Sequence, residues 1–419
     1  MRSRFILALG IALAMTPAKL AAQGPPAAAS NSCISCHSNL SDNLHVAPEV
    51  FAEDIHATKG ISCASCHGGD ATADDLGVAM SRAKGFRGKP AQREIPAFCA
   101  RCHSDAALMR KFNPSLRTDQ LAQYLTSVHG RRLARGDSKV AVCTDCHSVH
   151  DIRPASNPVS TVHPLNIANT CGRCHSNAEY MKPYDLPTNQ VAEYKASMHH
   201  EALVVRGDLS APTCTTCHGN HGAAPPGVAS VEFVCATCHV FQAQLFDRSP
   251  HQKPFAAMKL GACIACHSNH RIQHPTDKLL GTGKDSICLN CHSEGDKGYV
   301  AAGELSAHLG KLDRAIERSG EILDRAERSG MEVSQAKLEL MDARESLIKA
   351  RVNIHAFAPK LVEESVVKGV AISEKSYQAG VAALRERDFR RKGLAVSLIT
   401  IVVVLIGLYF TVRQMETHP

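Results

Sequence analysis

The chain repeats one short motif, Cys-x-x-Cys-His, nine times, and this motif limits the possible folds more than any other feature. All 18 cysteines of the 419 residues belong to a motif, so no thiol is left over. Residues i, i+3 and i+4 share one face of a helical turn, so each motif projects two thiols and an imidazole together. Numbered in chain order, the motifs are Cys33, Cys36 and His37 (motif 1); Cys63, Cys66 and His67 (2); Cys99, Cys102 and His103 (3); Cys143, Cys146 and His147 (4); Cys171, Cys174 and His175 (5); Cys214, Cys217 and His218 (6); Cys235, Cys238 and His239 (7); Cys263, Cys266 and His267 (8); and Cys288, Cys291 and His292 (9).

This spacing is that of a c-type haem attachment site. Two thiols so placed can form thioethers with the two vinyl groups of one porphyrin, and the adjacent imidazole can bind the iron as proximal ligand. Zinc sites also use Cys-x-x-Cys pairs, but they do not require a histidine directly after each second cysteine. A disulfide framework would not impose that histidine either. The motifs therefore predict nine covalently bound haem c groups and their iron, with zinc as the alternative.

On these motifs the chain resembles the multihaem c-type cytochromes of bacteria over residues 33 to 292, and the resemblance implies electron transfer. The chain has no tryptophan and only 5% aromatic residues, which is poor material for a protein core. With about 30 residues for each haem, the macrocycles would have to serve as the core. We therefore expect a mainly α fold with little regular structure between residues 30 and 300, limited to short helices at the motifs and loops.

The formal charge of +7 does not indicate a nucleic-acid-binding protein. Removal of a leader containing Arg2, Arg4 and Lys19 lowers the charge to +4. Nine haems would add 18 propionates and nine ferric centres, so the oxidised protein would carry a charge of about −5. A basic patch for nucleic acid is therefore not predicted.

Fourteen histidines remain after the nine proximal ones, which exceeds the nine needed to give every iron a second, distal ligand. Motifs 2, 4, 6 and 8, here called flanked motifs, have His56, His129, His200 or His251 at 7 to 14 residues upstream of their first cysteine, and the other five motifs, 1, 3, 5, 7 and 9, are here called bare. The upstream histidines His56, His129, His200 and His251 are predicted distal ligands. His150, His221 and His270 follow their own proximal histidines too closely to reach the same iron, so we expect them to serve a neighbouring haem.

His45, His163 and His274 are further candidates, with less regular spacing. His199 is displaced by one residue from the repeat and is interpreted as a bystander. His308 and His355 lie on predicted helices, where a solvated or packed imidazole is the usual role, although either could fold back to cap a terminal haem. The surplus predicts that all nine haems are six-coordinate and low-spin.

An internal repeat supports an array built by stacking. The segment from His129 to His150 matches the segment from His200 to His221 without gaps at a shift of 71 residues. Both copies contain Arg-Gly-Asp, which we interpret as a turn.

From about Ala301 the pattern changes to that of packed helices. A first helix ends near Gly330, a second runs from about Ser334 to Ala356, and a third begins near Lys360. The expected buried positions are Leu305, Leu309, Leu312, Ile316, Leu323 and Ala326, with Ser319 as a weak point; then Leu338, Met341, Ile348 and Val352; then Val362, Val366, Ser373, Tyr377, Val381 and Leu384.

The ends of the chain predict export and anchoring. Residues 1–29 have a charged start and a short apolar run, as in a signal peptide cleaved near Ala21–Ala22 or Ala27–Ala29, with an uncleaved anchor as the alternative. Residues Leu394 to Val412 carry no charge and are long enough to cross a bilayer. The Arg390–Lys392 cluster would favour the opposite topology, but long exported domains largely override that rule. The predicted segments are a signal at 1–29, a nonahaem domain at 30–300, a helical region at 301–392, a span at 393–413 and a short cytoplasmic tail at 414–419.

The resemblance extends to membrane-bound multihaem cytochromes of anaerobic respiration. It implies a periplasmic haem domain on the cytoplasmic membrane that relays electrons from a membrane quinol-oxidising partner, cytochrome b-like or similar, to a soluble or outer-membrane acceptor. The quinol-dehydrogenase cytochromes of that kind have an N-terminal anchor and fewer haems, so direct quinol oxidation is left open here. The alternative is a multihaem enzyme of the nitrite or hydroxylamine type with one open-site haem. Truncation after Gly298 is expected to release a soluble, fully haem-loaded protein.

Overall fold

The computed structural model describes residues 31–225 and 227–417, so the expected signal segment lies outside the described residues. All regular secondary structure within the described part is helical, in agreement with the expected fold class. The chain forms two compact units. One unit contains residues 31–116 and 141–160 with motifs 1 to 4, and the other contains residues 117–140 and 161–417 with motifs 5 to 9. These units divide the chain differently from the expected segments, because motifs 5 to 9 and the C-terminal helices belong together.

The first unit consists of short helices joined by loops, as expected for a chain with so few aromatic residues. Its α-helices are Ser32–His37, Pro48–Ala52, Ile55–Thr58, Cys63–His67, Leu76–Ala79, Ile95–His103, Ala106–Met109 and Cys143–His147. Its 3-10 helices are Asp42–Leu44, Arg82–Lys84 and Gln92–Glu94.

The motif-bearing part of the second unit has the same character. Its α-helices are Gln120–Thr126, Val128–Ala134, Pro164–His175, Ala178–Met181, Gln190–Lys195, Met198–Val204, Cys214–His218, Val240–Asp247, Gln252–Met258 and Ile264–His267. Its 3-10 helices are Lys182–Tyr184, Val231–Thr237, Asp277–Leu279 and Ile287–Asn290.

Three long helices complete the second unit: α1 at Lys297–Arg328, α2 at Ser334–Asn353 and α3 at Pro359–Thr417. A 3-10 turn at Ile354–Ala356 joins α2 to α3. The chain runs up α1, down α2 and up α3, and the three helices form one bundle with a continuous apolar core. Every expected buried position of α1 is buried, which confirms that part of the prediction. Ser319 does not interrupt the core, because its hydroxyl donates a 2.7 Å hydrogen bond to the backbone carbonyl of Ser373.

The predicted buried face of α2 is wrong. Leu338, Met341 and Ile348 are each more than half exposed. The buried face instead follows a 4-3 spacing made largely of small residues: Ala336, Leu340, Ala343, Leu347 and Ala350. Alanines allow the helix axes to approach closely, and this close approach selects the face with small side chains over the face with more large ones.

Close approach also explains a glycine in α3. A Cβ atom added at Gly369 would lie 2.7 Å from Cδ1 of Leu312 on α1 and 3.0 Å from Cβ of Ser346 on α2. Beyond Arg387, whose guanidinium donates to the Ser329 hydroxyl at 3.1 Å, α3 leaves the bundle. Its side chains from Leu394 to Val412 are exposed, and this apolar stretch is long enough to cross a membrane.

Candidate haem-binding sites

In motifs 1 to 6, both cysteines lie on a helix that ends at the proximal histidine. In motif 8 the helix begins directly after the first cysteine, and in motifs 7 and 9 a 3-10 helix ends just before the second cysteine. On a helical turn, the spacing of a motif predicts that its three side chains share one side. Several proximal imidazoles are held through Nδ1. His37 Nδ1 bonds the carbonyl of Leu44 at 2.8 Å, and His67 Nδ1 bonds that of Gly88 at 2.9 Å. An imidazole that donates from Nδ1 keeps the lone pair of Nε2 for a metal.

Within the part of the chain that the structure describes, seven pairs bring a proximal histidine opposite a second histidine ring, at the separation that an iron between them would require. An iron–nitrogen bond of about 2 Å on either side, plus the distance from nitrogen to ring centre, puts two axial imidazole centroids about 6 Å apart. The observed centroid separations run from 5.9 to 6.4 Å. The pairs are His103 with His56, His67 with His150, His175 with His129, His218 with His270, His239 with His199, His267 with His355 and His292 with His251.

The pairs follow a rule that the sequence pattern alone did not give. The proximal histidine of a bare motif faces the histidine upstream of the preceding flanked motif: His56 lies before motif 2 but faces motif 3. The proximal histidines of flanked motifs 2 and 6 face a histidine three residues beyond the next flanked motif: His150 follows motif 4 but faces motif 2, and His270 follows motif 8 but faces motif 6. Each of these ring pairs therefore joins two different segments of the chain.

His199, not His200, lies opposite a proximal histidine. The His199 and His239 centroids are 6.4 Å apart, whereas the His200 ring packs edge-on against Tyr194 at 5.3 Å. We therefore replace His200 by His199 as the candidate ligand. The gap-free alignment at a shift of 71 residues matches His129 to His200 and not to His199, because one extra residue lies between His199 and the following Arg-Gly-Asp.

A local feature identifies the correct residue. Each upstream histidine follows by two positions a side chain that accepts a backbone hydrogen bond: Asp54, Ser127 and Ser197 cap the helices of His56, His129 and His199, and the Ser249 hydroxyl accepts from the backbone N–H of His251. The Ser197 hydroxyl caps its helix by accepting from the backbone N–H of His200. This pattern, in which the histidine follows the accepting side chain by two positions, would have selected His199 from the sequence.

The three less regular candidates do not stand opposite a proximal ring among the described residues. His45 is exposed. His163 is buried, but its Nδ1 accepts from the backbone N–H of Leu165 at 3.3 Å, which leaves the ring proton on Nε2 and makes this residue a helix cap. Nε2 of His274 lies 3.4 Å from a carboxylate oxygen of Glu201 at the surface.

Burial keeps many of these imidazoles in the form that binds metal. Desolvation lowers the pKa of His221, which stands three residues beyond motif 6. Desolvation is likewise the leading cause of the lowered pKa of seven paired histidines, which are His150, His175, His199, His218, His251, His267 and His355. A neutral imidazole has a free lone pair, so the sites are prepared for iron near neutral pH.

Asp54 is a buried carboxylate behind one candidate ligand, and the sequence analysis missed it. Only 2% of Asp54 is exposed, and its Oδ1 lies 3.0 Å from Nδ1 of His56. Burial raises the pKa of Asp54, but hydrogen bonds from His56 and from the backbone N–H of Ile152 outweigh burial and hold the pKa below its usual value. The carboxylate is therefore ionised and orients His56 towards His103.

The comparisons with known proteins agree with this geometry. Three family descriptions match different parts of the chain: cytochrome c3 over residues 55–176, a doubled CXXCH motif over 253–297, and cytochrome c554 and c-prime over 14–68. The chain is a multihaem c-type cytochrome. No solved structure matches it.

Two curated relatives share part of this cytochrome. The C-type polyheme cytochrome OmcC of Geobacter sulfurreducens is 25% identical over 118 residues, which are 28% of this chain and 14% of the relative. The cytochrome c-type protein NrfB of Escherichia coli is 23% identical over 155 residues, 37% of this chain and 65% of the relative. The chain thus covers less than two thirds of either relative, and only the electron-transfer class is taken from them.

The cytochrome arranges its motifs in chain order within each unit. In the first unit, the thiol of Cys33 lies near that of Cys63, the thiol of Cys66 lies near that of Cys102, and the free thiols of Cys99 and Cys143 share a hydrogen bond. The second unit repeats this pattern from motif 5 to motif 9, through Cys171 with Cys214, Cys217 with Cys235, Cys235 with Cys263, and Cys266 with Cys288. Every motif within a unit therefore neighbours the next one along the chain.

Flanked motifs end in a strained turn that sends the chain away from the proximal histidine. The residue after that histidine has positive φ: Gly68 in motif 2, Ser148 in motif 4, Gly219 in motif 6 and Ser268 in motif 8. Ser268, at φ 65° and ψ −174°, occupies a region that is almost exclusive to glycine. In motifs 4, 6 and 8, this turn directs the histidine three residues later away from the haem site of its own motif, so that it can serve another site.

Proposed function

We propose that this protein is a nonahaem cytochrome that relays electrons between a membrane quinol-oxidising partner and a periplasmic or extracellular acceptor in respiration. The observation that carries the proposal is the chain-ordered contact of successive motifs in each unit. Haem supplies reversible one-electron chemistry when bound, and the residues named above hold it through thioethers and imidazoles. The opposed histidine pairs favour carriers with both axial positions filled over an enzyme that must keep one position open.

The bundle supports a separate quinol-oxidising partner. His355 and Phe357 stand at the end of the bundle where α3 begins, and Phe357 packs on His251 with ring centroids 4.0 Å apart. Leu394 lies thirty-five residues beyond Pro359 on this helix, which corresponds to a rise of about 52 Å. Motifs 8 and 9 therefore lie at the bundle end remote from the apolar stretch. A quinol dissolved in lipid would be too far away to reduce them.

We further propose that the leader exports the chain, that Leu394–Val412 spans the cytoplasmic membrane, and that the haem domain faces the periplasm. The thioether chemistry takes place outside the cytoplasm, which supports this orientation. In this orientation, the bundle is a stalk that holds the haem domain above the membrane surface, at the level of a partner subunit and of an acceptor.

The test compares quinol and a small reductant on the full-length protein in liposomes. Its intact mass should exceed that of the mature polypeptide by nine haems. Dithionite should reduce all the haem, whereas a membrane quinol alone should reduce almost none. Adding native membranes that contain the partner should restore quinol-linked reduction. Rapid quinol reduction of the purified protein would overturn the need for a partner, and a mass short of nine haems would overturn the count.

A variant of motif 9 provides a matched control for the count. Replacement of Cys288 and Cys291 by alanine removes both thioether positions of that motif, and the mass should then fall by one haem. An unchanged haem content would show that motif 9 does not attach haem.

A further inference from the structure

The turn between α2 and α3 brings a histidine of the bundle to motif 8. The rings of His355 and His267 are nearly parallel, at an interplanar angle of 25°, with centroids 6.1 Å apart. Their separation matches that of the pairs formed within the motif-bearing segments. No motif of the chain contains His355, and it lies 63 residues beyond His292, the last proximal histidine.

The position of His355 is fixed on several sides. Its Nδ1 lies 2.9 Å from the carbonyl of Val352, to which it donates, so Nε2 keeps its lone pair. Ile354 beside it is buried in the bundle core. Arg351, one turn earlier, forms two hydrogen bonds of 2.8 and 3.0 Å with the carboxylate of Asp277, which ties α2 to the motif-bearing segment.

The pairing rule leaves a gap that His355 fills. The proximal histidines of flanked motifs 2 and 6 face a histidine three residues beyond the next flanked motif, as His218 faces His270. Motif 8 is the last flanked motif, and motif 9, which follows it, has Gly295 at the position three residues after His292. The chain therefore has no motif-borne histidine for His267 under this rule.

We propose that His355 is the distal ligand of the haem attached at Cys263 and Cys266, so that the stalk completes a haem site. This inference rests on the proposed haem at motif 8. It makes the bundle part of the haem array, because the turn that holds His355 joins α2 to α3 and is anchored in the bundle core by Ile354. It also changes the expectation for a chain truncated after Gly298, which would lose this ligand and contain one high-spin haem.

The test uses the full-length holoprotein in detergent and compares His355→Ala with His308→Ala. His308 is the matched control, because it is the other histidine of the bundle and stands on α1. In the oxidised H355A protein, one haem in nine should become high-spin by electron paramagnetic resonance. The reduced H355A protein should bind one additional equivalent of carbon monoxide. H308A should match the wild type in both measurements.

Two further measurements keep the proposal falsifiable if H355A folds poorly. Added imidazole should return the new high-spin haem of H355A to low spin. His355→Met should retain a low-spin haem with thioether ligation and a raised midpoint potential. The proposal is overturned if H355A retains the wild-type spin state and carbon monoxide stoichiometry, or if H355M leaves every midpoint potential unchanged. Neither result depends on quinol reduction, so failure here is distinct from failure of the proposed relay.

Discussion

The adjacent histidines His199 and His200 allow a sharp test of the ligand assignment. Replacing His199 by alanine removes the ring that lies 6.4 Å from His239. The haem of motif 7 should then lose its distal ligand and become high-spin. Because the chain has nine motifs, the high-spin fraction should be about one ninth of the total haem.

His200→Ala is the matched control, one residue away on the same helix. The His200 ring touches Tyr194, whose hydroxyl donates to the carbonyl of Pro212 at 3.0 Å. Loss of one edge-on aromatic contact should cost about 1 kcal/mol of unfolding free energy and leave every haem low-spin.

Electron paramagnetic resonance of the oxidised variants and carbon monoxide titration of the reduced variants measure the result. Unfolding in urea, followed by far-ultraviolet circular dichroism, measures the stability. High-spin haem in H200A with none in H199A would refute the assignment. His200 would then be the ligand, as the gap-free repeat predicts.

Three further predictions follow from single side chains. Asp54→Asn keeps the hydrogen bond to His56 but removes a buried negative charge that favours ferric iron, so a redox titration should show one midpoint potential raised by on the order of tens of millivolts. Gly369→Ala should destabilise the bundle by about 1 kcal/mol through its clash with Leu312, whereas Gly320→Ala, which has room, should stabilise it by up to about 1 kcal/mol in urea unfolding; equal effects would contradict the close packing. Ser268→Gly should relieve backbone strain and raise the unfolding free energy by about 1 kcal/mol, and a loss of stability would show that the turn is relaxed.

Much of the fold could be predicted because it follows from local spacing. The Cys-x-x-Cys-His residues share one helix in motifs 1 to 6, as their spacing predicts, and the 4-3 pattern of α1 is found in the bundle core. The face of α2 could not be predicted from hydrophobicity alone. It depends on how closely three helices approach, and at that distance Ala343 fits where Met341 does not.

The distal ligands were harder to predict because ligation is a long-range contact. His56 was recognised as a candidate, but its partner motif was not, since nothing in the local sequence says that it reaches past motif 2 to motif 3. His355 was expected to be a solvated or packed imidazole on a helix, with the capping of a terminal haem as the alternative. Its role depends on a turn that returns it to motif 8. Asp54 was missed because a lone carboxylate has no sequence pattern to distinguish it from a surface residue.

The crossed pairing explains how a chain with so small a core can hold a defined fold. The ring pairs join positions about 40 to 90 residues apart, from His199 with His239 to His267 with His355. If each pair closes its loop through one iron, the chain-entropy estimate used for cross-links gives about 4 kcal/mol of restriction on the unfolded chain for each. Metal-binding free energy becomes folding free energy in such sites. We therefore expect the motif-bearing segments to be stably folded only when haem is attached. The bundle differs, because its continuous apolar core can form without haem. His355, which the bundle holds in place, links this haem-independent part to the haem-dependent one.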